Sequence, residues 1–99
     1  MVRWLAAALA DLRAIKAYIA EENPPAAVRV VACIREEVTI LSAQPASGRV
    51  GRLPDTRELV VKRYPYIVAY REQLGEIQIL AVVHTSRRWP NSVPVTADQ

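Results

Sequence analysis

The sequence predicts an α+β domain: a short N-terminal strand, an antiparallel helix hairpin, then a three-stranded antiparallel meander that completes a four-stranded sheet. Three observations predict it. Apolar residues recur at helical spacing over two segments of the N-terminal half. The link between those segments, Asn23-Pro24, is too short for anything but a sharp reversal. Thr56–Pro90 then reads as three strands broken by Tyr64-Pro65 and Gln73-Leu74-Gly75.

The elements follow in order. Val2-Arg3-Trp4-Leu5 is short and apolar, with residues that favour a pleated surface. Leu9, Leu12, Ile15 and Ile19, with Tyr18 beside them, form the apolar stripe of a first helix. Asp11, Arg13, Lys16, Glu21 and Glu22 take its other face. Asn23 supplies a side-chain cap for the next helix, and Pro24 at its first position gives up no needed N–H. Ala27, Val31, Ile34, Val38 and Leu41 form the second stripe, and Pro45 ends it. Ala46–Asp55, with Gly48, Gly51 and Pro54, reads as a loop carrying Arg49 and Arg52. The strands are expected over Glu58–Arg63, Tyr66–Glu72 and Glu76–His84. In the second of these, Tyr66, Val68 and Tyr70 share one face and Ile67, Ala69 and Arg71 the other. In the third, Ile77, Ile79, Ala81 and Val83 alternate with Gln78, Leu80, Val82 and His84. Both faces of these strands are apolar, so one packs on the hairpin and the other stays partly open.

The chain has 99 residues, enough for one domain that buries roughly 65% of its unfolded surface. We expect it over residues 1–90, with a flexible polar tail at 91–99. An apolar fraction of 52% excludes a disordered chain. No apolar run approaches membrane-spanning length, and Asp11 and Arg13 interrupt the apolar N-terminus before it can serve as a signal peptide. A lone Cys33 within a helical stripe reads as a small buried hydrophobe and leaves no disulfide or cysteine metal site. No metal or other cofactor is expected, and a reducing cytoplasm fits. The net charge of +3 lies wholly in residues 45–99, which suits an acidic partner, either nucleic acid or protein.

Four segments together resemble one family. VRWLAAALADLRAIKAYIAEENP, ILSAQPASGRVGRLPDTREL, RYPYIVAYR and ILAVVHTSRRWP follow the order and spacing of a RelE/ParE-superfamily type II toxin over roughly residues 2–90. The resemblance implies a β-α-α-β-β-β fold and a toxin encoded beside a cognate antitoxin that binds and silences it. It also implies that the toxin reaches operator DNA only through that antitoxin. Two activities occur on this fold: RelE-type members cut messenger RNA on the ribosome, and ParE-type members poison DNA gyrase and arrest growth.

Cleavage through 2′-OH attack needs a base, an acid and cations around the phosphate. Glu58 as base, His84 as acid and Arg71 as phosphate clamp form the candidate set. Tyr66 stands where the RelE-type pattern carries a basic residue, and Thr85 follows His84 where several nucleases carry Tyr. These departures favour the ParE-type reading, in which the chain binds its target rather than catalysing. Target-binding candidates are then Arg57, Lys62, Arg71, His84, Arg87, Arg88 and Trp89. Antitoxin-binding candidates are Arg49, Arg52, Tyr66, Tyr70, Arg71 and Trp89. Each has a structural alternative. His84 closes the last strand through a backbone hydrogen bond, Arg71 pairs with Glu58 or Glu72, the tyrosines pack in the core, and Arg49 and Arg52 sit in a solvated loop. A non-toxic member that only binds its antitoxin is the third reading.

Overall fold

Strand β1 (Val2–Trp4) leads into helix α1 (Ala6–Ala20) and helix α2 (Pro24–Val38), followed by strands β2 (Arg49–Val50), β3 (Arg57–Val60), β4 (Tyr66–Gln73) and β5 (Glu76–His84). The computed structural model describes residues 1–86. Arg87, Arg88, Trp89 and the tail expected at 91–99 lie outside the described residues.

The hairpin forms as its sequence dictates. Asn23 Oδ1 accepts the Ala26 N–H at 3.1 Å, and Pro24 opens α2. Ala8 and Leu12 of α1 are buried, with Ile15 and Ile19 partly so. Tyr18, expected beside the stripe, is instead exposed. Along α2 the buried positions are Ala27, Val30, Cys33, Ile34 and Val38. The helix ends before Pro45, tightening at Thr39–Ser42 into a 3-10 turn that keeps Leu41 fully buried. A second such turn spans Pro45–Ser47.

Among the described residues the sheet has five strands in the order β1-β5-β4-β3-β2. Of these, β1 is parallel to its neighbour, with Val2 beside Ile77 and Trp4 beside Ile79. The helix hairpin is the crossover that this parallel pairing requires. The fifth strand corrects the expectation of four. The glycines and proline of residues 46–55 read as pure loop, yet Arg49 pairs with Glu58 and Val50 with Arg57. Gly51 N–H donates to Thr56 O at 2.8 Å, closing a tight return, and Arg49 bonds Glu58 across the two strands. β3 also ends at Val60 rather than Arg63.

A second correction concerns β5. Its register against β4 slips between Ala69 and Tyr70, so that Ala81 faces Ala69 while Ile79 faces Tyr70. Leu80 is the extra residue of a β-bulge. Strict alternation therefore fails: Ile77, Ile79 and Val82 all join the core with Tyr66, Val68 and Tyr70. His84, opposite Tyr66, falls on the same side. The other side carries Ile67, Ala69, Arg71, Gln78, Ala81 and Val83, outside the main core cluster although Ala69, Ala81 and Gln78 are buried.

Tyr70 anchors the packing. Its ring is fully buried, and its hydroxyl donates to Pro45 O at 2.6 Å and accepts Gly48 N–H at 2.8 Å. A Cβ at Gly48 would come within 2.7 Å of that ring and 2.8 Å of Glu58 O, so only glycine lets the loop lie this close.

Candidate functional site

Arg3, Arg49, Glu58, Arg71 and Glu76 lie on the sheet face opposite the helices. Glu58 sits on it beside Ala69, with its side chain only 6% exposed. Arg49 Nε and Nη2 donate to Glu58 Oε1 at 3.2 and 3.1 Å. Arg52 Nε lies 4.0 Å from Oε2, an ion-pair contact without a hydrogen bond, so Oε2 has no donor among the described residues. Both arginine side chains remain more than half exposed. One buried carboxylate therefore holds two guanidinium groups at the sheet edge while their outer N–H groups face solvent.

At the opposite margin Arg71 Nε donates to Gln78 Oε1 at 2.8 Å, and Gln78 Nε2 donates to Glu76 Oε1 at 3.0 Å. Arg3 on β1 stands 3.6 Å from the same Glu76 oxygen. Arg71 thus pairs with neither Glu58 nor Glu72, since Gln78 is the residue directly across the hairpin.

His84 lies on the helix side, its ring edge-on to Tyr66 with centroids 5.4 Å apart. Ser86 N–H donates to His84 Nδ1 at 3.1 Å, the strand-closing backbone bond anticipated from sequence. Ser86 Oγ lies 2.8 Å from the same ring nitrogen. Burial pushes the Tyr66 and Tyr70 phenols above their ordinary range.

The structure therefore divides the candidate cleavage set. Glu58 and Arg71 occupy one face, and His84 the other. Along β4, His84 faces Tyr66 and so lies five residues from Arg71, about 17 Å at strand rise. The three side chains do not converge.

Among the other candidates, Arg57 is committed to the loop, with Nη1 donating to Gly48 O at 2.8 Å. Lys62 is exposed in the bend after β3. Tyr66 and Tyr70, offered as antitoxin contacts, are buried in the core, with Tyr66 8% exposed and Tyr70 fully enclosed. Sequence reasoning missed Asp11, Gln78 and Arg3. Asp11 was placed on the solvated face of α1, yet its Oδ2 accepts Val82 N–H at 2.9 Å. Its spacing of three from Ala8 and four from Ile15, both of which pack inward, is the signal that marks it as a flank of the apolar stripe.

A shallow cavity of about 330 Å³ opens where β1 meets the end of α2, with Arg35 over the Trp4 ring at 5.4 Å. Among the described residues no cluster of His, Cys, Asp or Glu could hold a metal ion. No described helix is long and apolar enough to cross a membrane.

Comparison with known proteins agrees with this architecture. The model of the family described as ParE toxin of type II toxin-antitoxin system, parDE, matches residues 2–89. Y4kP of Sinorhizobium fredii is 47% identical over 89 residues, spanning 90% of this chain and 92% of that protein. Toxin RelE2 of Caulobacter vibrioides is 36% identical over 86 residues, or 87% of this chain and 96% of its own length. Among solved structures, a chain of the chromosomal ParDE TA system from P. aeruginosa superposes with a TM-score of 0.78 at 32% identity, covering 84% of this chain and 92% of that one. The isolated E. coli RelE toxin shares the fold at a TM-score of 0.60 and 13% identity, over 96% and 94% of the two chains. The likeness runs through the whole unit just described, hairpin and sheet alike, and the chain belongs to the ParE toxin family of type II toxin–antitoxin systems.

Proposed function

We propose that this toxin arrests growth by docking on DNA gyrase in the cytoplasm and stalling it with DNA cleaved, and that a cognate antitoxin silences it by covering the same basic surface. The observation that carries this reading is the separation of His84 from Glu58 and Arg71 by the thickness of the sheet. General acid–base catalysis needs both partners within hydrogen-bond reach of one substrate atom. A protein whose exposed chemistry is arginine on a bare sheet face is suited to binding. Family membership and the 32% identity to a ParDE chain support gyrase over the ribosome as target. Arg71 and Lys62 are the target-contact residues proposed within residues 1–86, and Arg87, Arg88 and Trp89 follow in sequence. Operator DNA is reached only through the antitoxin.

The test is a paired assay on toxin freed from its antitoxin. One arm follows gyrase supercoiling and trapped cleaved DNA, and the other follows message cleavage on programmed ribosomes. Activity in the gyrase arm alone is expected. Cleavage in the ribosome arm alone, lost in Arg71→Ala or His84→Ala, would establish the RelE-type activity instead. Silence in both, without growth arrest on expression, would mark a member that retains only antitoxin binding.

A further inference from the structure

The β4–β5 hairpin outruns its neighbours. Pairing of β4 with β3 stops at Arg57 opposite Tyr70, and pairing of β5 with β1 starts at Val2 beside Ile77. Beyond those pairs the two strands have only each other as sheet partners among the described residues, down to the last pair, Gln73 and Glu76. Arg71, Glu72 and Gln73 carry the turn about 10 Å past the end of β3 at strand rise.

At the apex stands Leu74, 96% exposed and the most exposed large apolar side chain among the described residues. A Cβ added at Gly75 would meet nothing within 4 Å, so the space beside the leucine is open. An exposed leucine is ordinary by itself. Its backbone is not, because Leu74 has a φ of 55°. Left-handed geometry comes easily to Gly, Asn and Asp, and Asp55 is the other non-glycine residue described with a positive φ. A bulky side chain at such an angle strains the chain and here gains no burial in return. Folding stability therefore does not account for leucine at this apex, since a polar turn residue suits both the backbone and the solvent. Strain of this kind persists where a function holds it.

Charge selects the partner. Beyond the Arg71–Gln78 pair the arm carries Glu72 and Glu76 and no basic residue. Glu76 answers Arg3 at 3.6 Å, while Glu72 is exposed. A nucleic-acid backbone would meet like charge at this tip, and so would a second copy placed tip to tip or an acidic antitoxin segment. We infer that Leu74 is a peg that enters an apolar pocket on the toxin's target protein, a pocket whose rim is basic or uncharged and receives Glu72. This role rests on the reading of the chain as a toxin that acts by docking on a target, and it names the element that docks. The last ladder pair sits directly before a two-residue turn, so the peg is stiff and gives up little freedom on docking.

The test uses the full-length toxin freed from its antitoxin, with inhibition of gyrase supercoiling titrated for each variant. Leu74→Asn keeps the turn geometry and removes the peg. It should need at least about tenfold more toxin for half inhibition, the loss expected when a leucine side chain goes unburied. Its thermal midpoint should stand at or above wild type, which separates the loss from unfolding. Leu74→Met should recover most of the inhibition, and antitoxin affinity by calorimetry should match wild type in every variant. Leu74→Asn toxin that inhibits at wild-type concentrations would overturn the inference. So would a parallel loss of antitoxin affinity, or a wild-type dimer that Leu74→Asn disperses. Stronger trapping of cleaved DNA by Glu72→Lys would place nucleic acid against the tip and overturn it too. A wild-type toxin without effect on gyrase would instead refute the proposed target, and that failure shows in the wild-type titration alone.

Discussion

Val82 donates its backbone N–H to Asp11 Oδ2 at 2.9 Å, and that bond fastens α1 to the edge of β5 beyond the point where β1 stops covering it. Edge strands leave unpaired N–H groups that another chain can recruit. Here a helix side chain occupies one of them. Burial raises the Asp11 carboxyl above its ordinary value of 3.8, partly opposed by the Val82 N–H.

The pH consequence follows in sign. The folded state holds the Asp11 proton more tightly than the unfolded chain does. This group's contribution to folding is complete below pH 3.8 and is lost as pH rises through its folded value. Asp11→Asn keeps an acceptor for Val82 and removes the titration. Urea unfolding from pH 3 to 7 should show wild type losing ground to Asp11→Asn as pH rises across that window. A constant difference between the two would contradict this.

Tyr70→Phe should cost about 1–3 kcal/mol, since it strips Pro45 O and Gly48 N–H of their shared partner in a buried position. The unfolding midpoint should fall with the slope of the transition unchanged. A loss below a few tenths would mean that water replaces the hydroxyl.

Gly48→Ala tests the same junction from the other side. The added methyl meets the Tyr70 ring and the Glu58 carbonyl, neither of which can retreat without disturbing the core. Overpacking of this kind costs about 1–3 kcal/mol. Near-neutral stability by thermal melting would show that the loop can lift away.

Leu74→Asn should stabilise the protein. Leu74 and Gly75 form the two-residue turn between β4 and β5, with φ of 55° and 76°. Both angles positive is the hairpin geometry that Asn-Gly satisfies best. Leucine is strained there and almost wholly exposed, so nothing in the core is lost by removing it. A gain of roughly 1 kcal/mol is expected from chemical denaturation. No gain would place the strain elsewhere in the turn.

Legibility from sequence was uneven for physical reasons. Asn23-Pro24 and Gln73-Leu74-Gly75 act through their own backbone chemistry, so both reversals were readable from the residues alone. The split of Tyr66, Val68 and Tyr70 from Ile67, Ala69 and Arg71 was also readable, because β4 alternates without interruption. Strand β2 was hidden, since its pairing depends on Arg49 reaching a glutamate nine residues on. The bulge at Leu80 was hidden for another reason: Gln78-Ile79-Leu80-Ala81-Val82 satisfies strict alternation as well as the slipped pattern. Only the packing of Val82 against the helices separates them. The candidate site suffered accordingly, because the side on which His84 emerges is decided by that one slip.

The bulge also ties two traits of β5 to one local feature. Were Leu80 taken into unbroken alternation, His84 would come through to the side of Glu58 and Arg71 and Val82 would leave the core, whereas deleting Leu80 would keep both on their present sides. Substitutions change what a residue is, whereas keeping or losing the bulge changes where Ala81, Val82, Val83 and His84 look. In this strand, selection for a stable core and selection for which groups meet at the surface therefore act on a common feature, the extra residue, and neither can drift without the other.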